Sequence, residues 1–172
     1  MFEAGNFTCT QSTASDEAYY RKDVGPVCEV STVSPASAAV YSTRSVYSLN
    51  KQAVSWIKFF FDIIDGLAMF VQGMEIQHGN HEPIIIGNIS TSFNNECVFD
   101  QVIDRIEYSI ADVPGYKGVE GIHFFSNTTK VCDVLDLDMP NYKQVLYGEN
   151  LLFLSATYNQ IITQITFAFH TC

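Results

Sequence analysis

Basic residues are scarce in this sequence. Lys and Arg together number 9 of 172 residues, they form no run, and the formal net charge is −10. A protein that binds nucleic acid or an anionic membrane needs clustered Lys and Arg to displace counterions from its partner. The sequence therefore argues against nucleic acid and anionic membrane surfaces as partners.

The motifs of common catalytic and metal sites are also missing. The chain has no Gly-rich phosphate loop, no nucleophile elbow and no Cys-x-x-Cys pair. In "HGNHE" (78–82), His78 and His81 lie close together beside Glu82, but no further ligand follows, so we expect solvated loop histidines. The acidic residues within 133–138 are expected to form a polar strand face rather than a calcium site. We predict no enzyme activity, no metal and no cofactor.

A membrane-spanning helix is absent as well. The most apolar stretch, "WIKFFFDIIDGLAMFVQG" (56–73), contains Lys58, Asp62 and Asp65. Each of these charges would cost about 2.5 to 3.5 kcal/mol near a bilayer centre. We therefore predict a β-hairpin that turns at Asp65 and Gly66, and no membrane insertion.

Helical periodicity does not appear in any long window. From Tyr41 onward the chain consists of short aromatic and β-branched runs bounded by Gly, Pro, Asn and Asp, which is typical of an all-β protein. Residues 1–38 are rich in Ser and Thr and have no sustained period. We predict an irregular N-terminal arm at 1–38 and one β domain at 39–172.

Three stretches of the β domain share one pattern: an apolar strand, a bend and a second strand that alternates apolar and polar residues. They are residues 55–72, 103–127 and 150–171, with short strand candidates between them at 82–87, 96–100, 131–137 and 143–148. Aligned at the bend, the matching residues are Asp65-Gly66-Leu67, Glu120-Gly121-Ile122 and Thr163-Gln164-Ile165.

This repetition predicts a β-prism, in which three four-stranded antiparallel sheets surround a common core with pseudo-threefold symmetry. The first unit then needs a partner strand from residues 38–43 or 45–50. The alternative is a β-sandwich whose hairpins look alike only because all hairpins do.

The same residues resemble a known family. "AVSWIKFFFDIIDGLAMFVQ" (53–72) is similar to the early strands of jacalin-related lectins, "VIDRIEYSIADVPGYKGVEGIHFFSNTTK" (102–130) resembles their middle unit, and "LFLSATYNQIITQITFAFH" (152–170) resembles their closing hairpin. The similarity is greatest to the animal zymogen-granule type. It implies a β-prism fold and sugar binding at one end of the prism, without catalysis.

The family's sugar site combines a Gly-rich loop, a loop of the middle unit and a final Gly-x-x-x-Asp loop. Here Asn159 stands at the Gly position and Thr163 at the Asp position, so the carboxylate that accepts bonds from sugar hydroxyls is missing. We expect any sugar to bind between residues 112–120 and 156–163. The predicted carbohydrate-binding residues are Tyr116, Glu120, Tyr158, Asn159, Gln160 and Thr163.

Two functions are compatible with this sequence. The first is a secreted lectin with glycans as partners. The alternative is a structural or assembly module that has lost the sugar site and uses the prism for contacts with itself or another protein, through Cys172 or exposed aromatic residues. In that second reading, Tyr116 and Tyr158 are ordinary loop aromatics.

The five cysteines are an odd number, so one is left over. We predict that Cys9, Cys28, Cys97 and Cys132 form disulfides, with Cys9 and Cys28 bonded to each other or to the body, and that Cys172 is free for a partner. Disulfides indicate an oxidising compartment. Three glycosylation sequons support the same location, and together these features predict a secreted glycoprotein modified at Asn6, Asn88 and Asn127.

Overall fold

A computed structural model describes residues 28–32, 42–46, 53–66, 68–134 and 144–171. Within these ranges the chain forms twelve β-strands. No helix among the described residues is long and apolar enough to span a membrane. The predicted hairpin at 56–73 is confirmed, because the strands Val54–Ile64 and Ala68–His78 pair in antiparallel fashion across a turn.

The strand bounds follow the aromatic and β-branched runs of the sequence. They are β1 Cys28–Ser31, β2 Ser42–Val46, β3 Val54–Ile64, β4 Ala68–His78, β5 Ile84–Gly87, β6 Phe93–Val98, β7 Arg105–Val113, β8 Tyr116–Ser126, β9 Thr129–Val134, β10 Gln144–Tyr147, β11 Glu149–Tyr158 and β12 Ile162–Thr171.

These strands form three antiparallel four-stranded sheets, as the repeat predicted. The early sheet has the order β5-β4-β3-β6, the middle sheet β10-β7-β8-β9, and the terminal sheet β1-β12-β11-β2. Each sheet has a long hairpin at its centre and two short strands at its edges. The predicted β-prism is confirmed.

The core lies where the inner faces of the three sheets meet. Phe59, Phe124 and Phe167 come from the three different hairpins, and each is fully buried. The ring centroids of Phe59 and Phe124 lie 5.9 Å apart, and those of Phe124 and Phe167 lie 6.2 Å apart. Aromatic pairs at such distances add to the stability gained from burial, so these two ring contacts join all three sheets.

The three hairpins also share a β-bulge, which defines the true internal alignment. The bulge leaves one extra residue unpaired in the second strand of each hairpin: Gln72 in β4, Glu120 in β8 and Thr163 in β12. The predicted match between Glu120 and Thr163 is thus confirmed. The match of Asp65 to these two residues is wrong, because Asp65 forms the hairpin turn itself.

Two further expectations about the N-terminal region need correction. Strand β2 pairs with β11, so residues 42–46 supply an edge of the terminal sheet and not of the first unit, which takes β5 and β6 instead. Residues 28–31, placed in the irregular arm, form β1 and pair with β12. These pairings bring the first and the last described strands into one sheet. The rest of the predicted arm, 1–27 and 33–38, lies outside the described residues.

A disulfide joins the edges of two sheets. Cys97 in β6 and Cys132 in β9 are bonded, with a Cα–Cα distance of 5.6 Å. The prediction that these two cysteines form disulfides is confirmed. Cys9 and Cys172 lie outside the described residues, and only the backbone of Cys28 is described, so the remaining disulfide predictions stay predictions.

Candidate functional site

The turns of the three central hairpins lie at one end of the prism, here called the hairpin end. Asp65 and Gly66 have φ angles of 51° and 70°, which suits a tight turn with both residues left-handed. Pro114 and Gly115 form the turn of the middle hairpin, where Gly115 has a φ of 88°. Pro followed by a left-handed Gly is the signature of a type II turn. The turn of the terminal hairpin spans residues 159–161.

The three hairpins do not reach equally far. Beyond the shared bulge, the early and middle hairpins each add four residue pairs, whereas the terminal hairpin adds only the pair Tyr158 and Ile162. The first two hairpins therefore extend past the turn at 159–161. The short turn lies recessed between them.

An apolar cluster fills the space between the hairpins. Ile161, at the recessed turn, is buried together with Phe70 and Ala111. Four partly buried residues pack around them: Ile64, Ala68, Val113 and Tyr116. Gly118 permits this close approach, because a Cβ there would lie 2.6 Å from Ile161 Cδ1 and 2.7 Å from the Ile162 carbonyl oxygen. The hairpin end is thus a packed surface.

A tyrosine and a carboxylate meet on this surface. The Tyr116 hydroxyl donates a hydrogen bond of 3.0 Å to Asp65 Oδ2, and this bond is the main reason why the pKa of Tyr116 is raised. The Tyr116 ring lies 6.2 Å from the buried ring of Phe70, measured between centroids. The site prediction omitted Asp65, although an Asp-Gly turn between two apolar strands is a signal for a residue at a hairpin tip.

Asn159 shapes the recessed turn with its own side chain. Asn159 Oδ1 accepts hydrogen bonds from the backbone N–H groups of Gln160, at 2.5 Å, and Ile161, at 3.1 Å. Asparagine commonly closes turns in this manner. Asn159 and Gln160 are both exposed, so the Gln160 amide and the Asn159 Nδ2 group are presented at the hairpin end.

Thr163 is not presented there. Its side chain is 3% exposed, and its hydroxyl donates to the Thr157 carbonyl at 3.0 Å and lies 3.0 Å from the Thr157 hydroxyl. The residue at the family's carboxylate position therefore ties the bulge of β12 to β11.

Glu120 and Tyr158 occupy intermediate positions. Glu120 is half-buried at the bulge of β8, where Oε2 accepts a 3.3 Å hydrogen bond from the Ser109 hydroxyl. Tyr158 is half-buried and packs against the core. Of the six predicted residues, the structure brings Tyr116, Asn159 and Gln160 to the surface around the apolar cluster.

The connection between β1 and β2 also begins and ends at the hairpin end. The Thr32 N–H donates to the Ile165 carbonyl at 2.9 Å, and Ser42 pairs with Tyr158. Residues 33–41 themselves lie outside the described part of the chain.

Only one of the two histidines departs from the expected solvated loop. His78 ends β4 with only 1% of its surface exposed, and its Nε2 lies 2.9 Å from the Leu152 carbonyl oxygen. Burial lowers the pKa of His78 to about 4. Among the described residues, no group of three His, Cys, Asp or Glu side chains could hold a metal ion. His78 is a neutral core residue.

Solved structures of several lectins share this architecture. Wild-type Malaysian banana lectin superimposes with a TM-score of 0.59 at 11% identity, covering 82% of this chain and 97% of that chain. Calystegia sepium agglutinin gives a TM-score of 0.60 at 9% identity, with coverages of 84% and 98%. Single-chain recombinant jacalin gives 0.52 at 15% identity, with coverages of 82% and 93%.

Neither protein-family models nor curated protein sequences match the chain. At the identities above, the structural likeness concerns the fold. The chain has the β-prism fold of jacalin-related lectins, as the sequence resemblance predicted.

Proposed function

We propose that this protein is a non-catalytic carbohydrate-binding protein that binds its sugar at the hairpin end. The observation that carries the proposal is the group of polar side chains held on rigid turns around one apolar cluster: Tyr116, Asp65, Asn159 and Gln160. Sugar recognition requires such a combination of acceptors, donors and an aromatic surface. The solved proteins that share the fold include lectins by name.

Each side chain has a distinct task in this proposal. The Tyr116 ring provides a surface for the apolar face of a sugar ring, and its contact with Phe70 fixes its orientation. Asp65 accepts hydrogen bonds from sugar hydroxyls. It thereby supplies the carboxylate that is missing at position 163, where this chain has Thr163. The exposed amide of Gln160 can donate and accept bonds to adjacent hydroxyls.

The other predicted residues support this site. Glu120 and Tyr158 flank it, and Thr163 holds the bulge beneath it. With few hydrogen bonds and one ring contact, the affinity of a single site is expected to be weak, on the order of millimolar to micromolar. Useful avidity then requires several sites to act together.

We place the protein outside the cell. The bond between Cys97 and Cys132 supports this location, because disulfides persist in oxidising compartments. The three sequons add to that support.

A glycan array of the full chain tests the sugar-binding proposal. We expect binding to one class of glycans, with at least a tenfold loss in Tyr116→Ala, or about 1.4 kcal/mol. Tyr147→Ala is the matched control, because Tyr147 is 64% exposed at the opposite end of the middle sheet. Thr163→Val should retain binding. No signal on any glycan, or equal loss in the Tyr116 and Tyr147 variants, would contradict the proposal.

One observation favours a second function: the apolar cluster of Phe70, Ala111 and Ile161 fills the space between the hairpins at the hairpin end. Near this filling, Ile63 is 52% exposed and Phe93 is 47% exposed. Exposed apolar residues beside a packed surface suit an assembly module, in which the prism contacts another protein. Light scattering over a range of concentrations would show oligomers that Ile63→Asp abolishes. A monomer at all concentrations argues against this function.

A further inference from the structure

The sequon Asn127-Thr128-Thr129 lies on a tight turn between β8 and β9. Ser126 pairs with Thr129, so Asn127 and Thr128 alone form the turn. Asn127 has a φ of 55°, a left-handed conformation that asparagine tolerates well. Its backbone N–H donates to Asp104 Oδ2 at 3.0 Å. The turn is therefore held in place by its backbone.

The Asn127 side chain projects from this turn without a structural task. Asn127 and Thr129 are both exposed, and within the described ranges no hydrogen bond engages the Asn127 side-chain amide. The acceptor nitrogen and the hydroxyl of the sequon thus remain accessible in the folded chain.

The sequon at Asn88 is in a different situation. Asn88 Nδ2 donates to Gln72 Oε1 at 3.1 Å, and Asn88 Oδ1 accepts from the Ser90 N–H at 2.9 Å. Gln72 is the bulge residue of β4 and is 7% exposed. The Asn88 amide therefore supports the fold, whereas the Asn127 amide does not. Asn6 lies outside the described residues.

We propose that Asn127 is an N-glycosylation site whose glycan the folded prism carries without strain. The reaction joins Asn127 Nδ2 to C1 of an oligosaccharide supplied as a lipid pyrophosphate. The amide nitrogen loses a proton, and the lipid pyrophosphate leaves with the bonding electrons of the C1–O bond. No oxidant or reductant is required.

The position of Asn127 keeps this glycan away from the hairpin end. Strand β8 begins at Tyr116 and ends at Ser126, so Asn127 lies about 35 Å from Tyr116 at the usual rise of a β-strand. A glycan there leaves the proposed sugar site open. This consequence rests on the proposed sugar site, whereas the modification itself rests only on passage through the secretory pathway.

Glycosylation of Asn127 is tested by expressing the full chain in eukaryotic cells with a cleavable leader, so that the cells secrete it. The background Thr8→Ala/Ser90→Ala removes the other two sequons, so that only Asn127 can accept a glycan. Intact-protein mass is measured before and after peptide N-glycosidase, and peptide mapping locates the Asp that this enzyme leaves at the acceptor. We expect one N-glycan, at Asn127.

Substitutions at Thr129 provide the matched pair. Thr129→Ala should abolish the glycan while leaving the Asn127 backbone untouched, and Thr129→Ser, which restores the hydroxyl, should retain it. An unmodified Asn127 in the secreted background chain would overturn the proposal, as would a glycan that persists in Thr129→Ala.

Thermal unfolding and glycan binding complete the test. The glycosylated chain and its enzymatically deglycosylated form should unfold at the same temperature. A glycosylated form that unfolds earlier would contradict a strain-free site. If the array shows binding, both forms should bind equally. The measured mass alone shows whether Asn127 is modified. A protein that binds no glycan on the array would therefore leave the result for Asn127 unchanged.

Discussion

Single residues at the hairpin end divide into those that hold the fold and those that face solvent. Thr163 uses its hydroxyl on the bulge, and Asn159 uses its Oδ1 on the turn while its Nδ2 stays exposed. Asp65 and Tyr116 use their polar atoms on each other, at an exposed position. A ligand can therefore compete for the second pair at small cost, because an exposed hydrogen bond contributes little to stability.

His78 makes the stability of the protein depend on pH. Its pKa is about 4 in the folded protein and 6.5 when unfolded. Between these values the unfolded chain binds a proton that the folded chain does not, so stability is full above pH 6.5 and falls as the pH drops towards 4. The expected loss is about 3 kcal/mol.

Urea unfolding across this pH range measures the effect. His78→Gln should remove most of the dependence, because glutamine does not titrate. Parallel pH curves for wild type and His78→Gln would contradict the assignment.

At the scale of elements, the bulges explain both the success and the failure of sequence reasoning. The alternation of apolar residues predicted three hairpins, because one face of each sheet is buried. It did not predict the internal alignment of the first unit. The sequence "DGL" (65–67) resembles "EGI" (120–122). In the early hairpin, however, residues 72–74 hold the position relative to the bulge that residues 120–122 hold in the middle hairpin.

The length of each hairpin beyond its bulge was equally hard to predict. It depends on where three separate turns come together in space. A sequence pattern reports which face of a strand is buried, but it does not report how far one hairpin extends past another. For this reason the predicted site included the buried Thr163 and omitted Asp65.

Gly118 tests the packing between hairpins. A Cβ in Gly118→Ala would meet the Ile162 carbonyl oxygen at 2.7 Å, so the strand must shift, at a cost of about 1 to 3 kcal/mol. Urea unfolding of the single variant measures this cost. Ile161→Ala removes the contact with Ile161 Cδ1 but keeps the contact with the Ile162 carbonyl oxygen. In an Ile161→Ala background, Gly118→Ala should therefore still lower the free energy of unfolding, but by less than in the wild type. A neutral Gly118→Ala would show that the middle and terminal hairpins are not in close contact.

For the whole molecule, the prism depends on contacts between sheets that share no continuous hydrogen-bond ladder. The inward faces provide one core, and the bond between Cys97 and Cys132 closes the corner between the early and middle sheets. The Asn95 side chain adds a hydrogen bond to the Asp133 carbonyl at the same corner.

Removing the disulfide should lower the free energy of unfolding by about 3 to 4 kcal/mol, because the bond closes a loop with a sequence separation of 35. The variant Cys97→Ala/Cys132→Ala is compared with wild type by urea unfolding with and without reductant. Reductant should destabilise the wild type and have much less effect on the variant. Equal sensitivity of both proteins to reductant would indicate that another disulfide closes the prism.

Backbone amide NMR during titration with a sugar from the array tests the proposal that the hairpin end binds sugar. We expect chemical-shift changes that saturate and cluster at residues 65–66, 114–118 and 159–161, with none at the opposite turns 79–80 and 127–128. Changes confined to the opposite turns, or none up to the millimolar range expected for a weak single site, would contradict it.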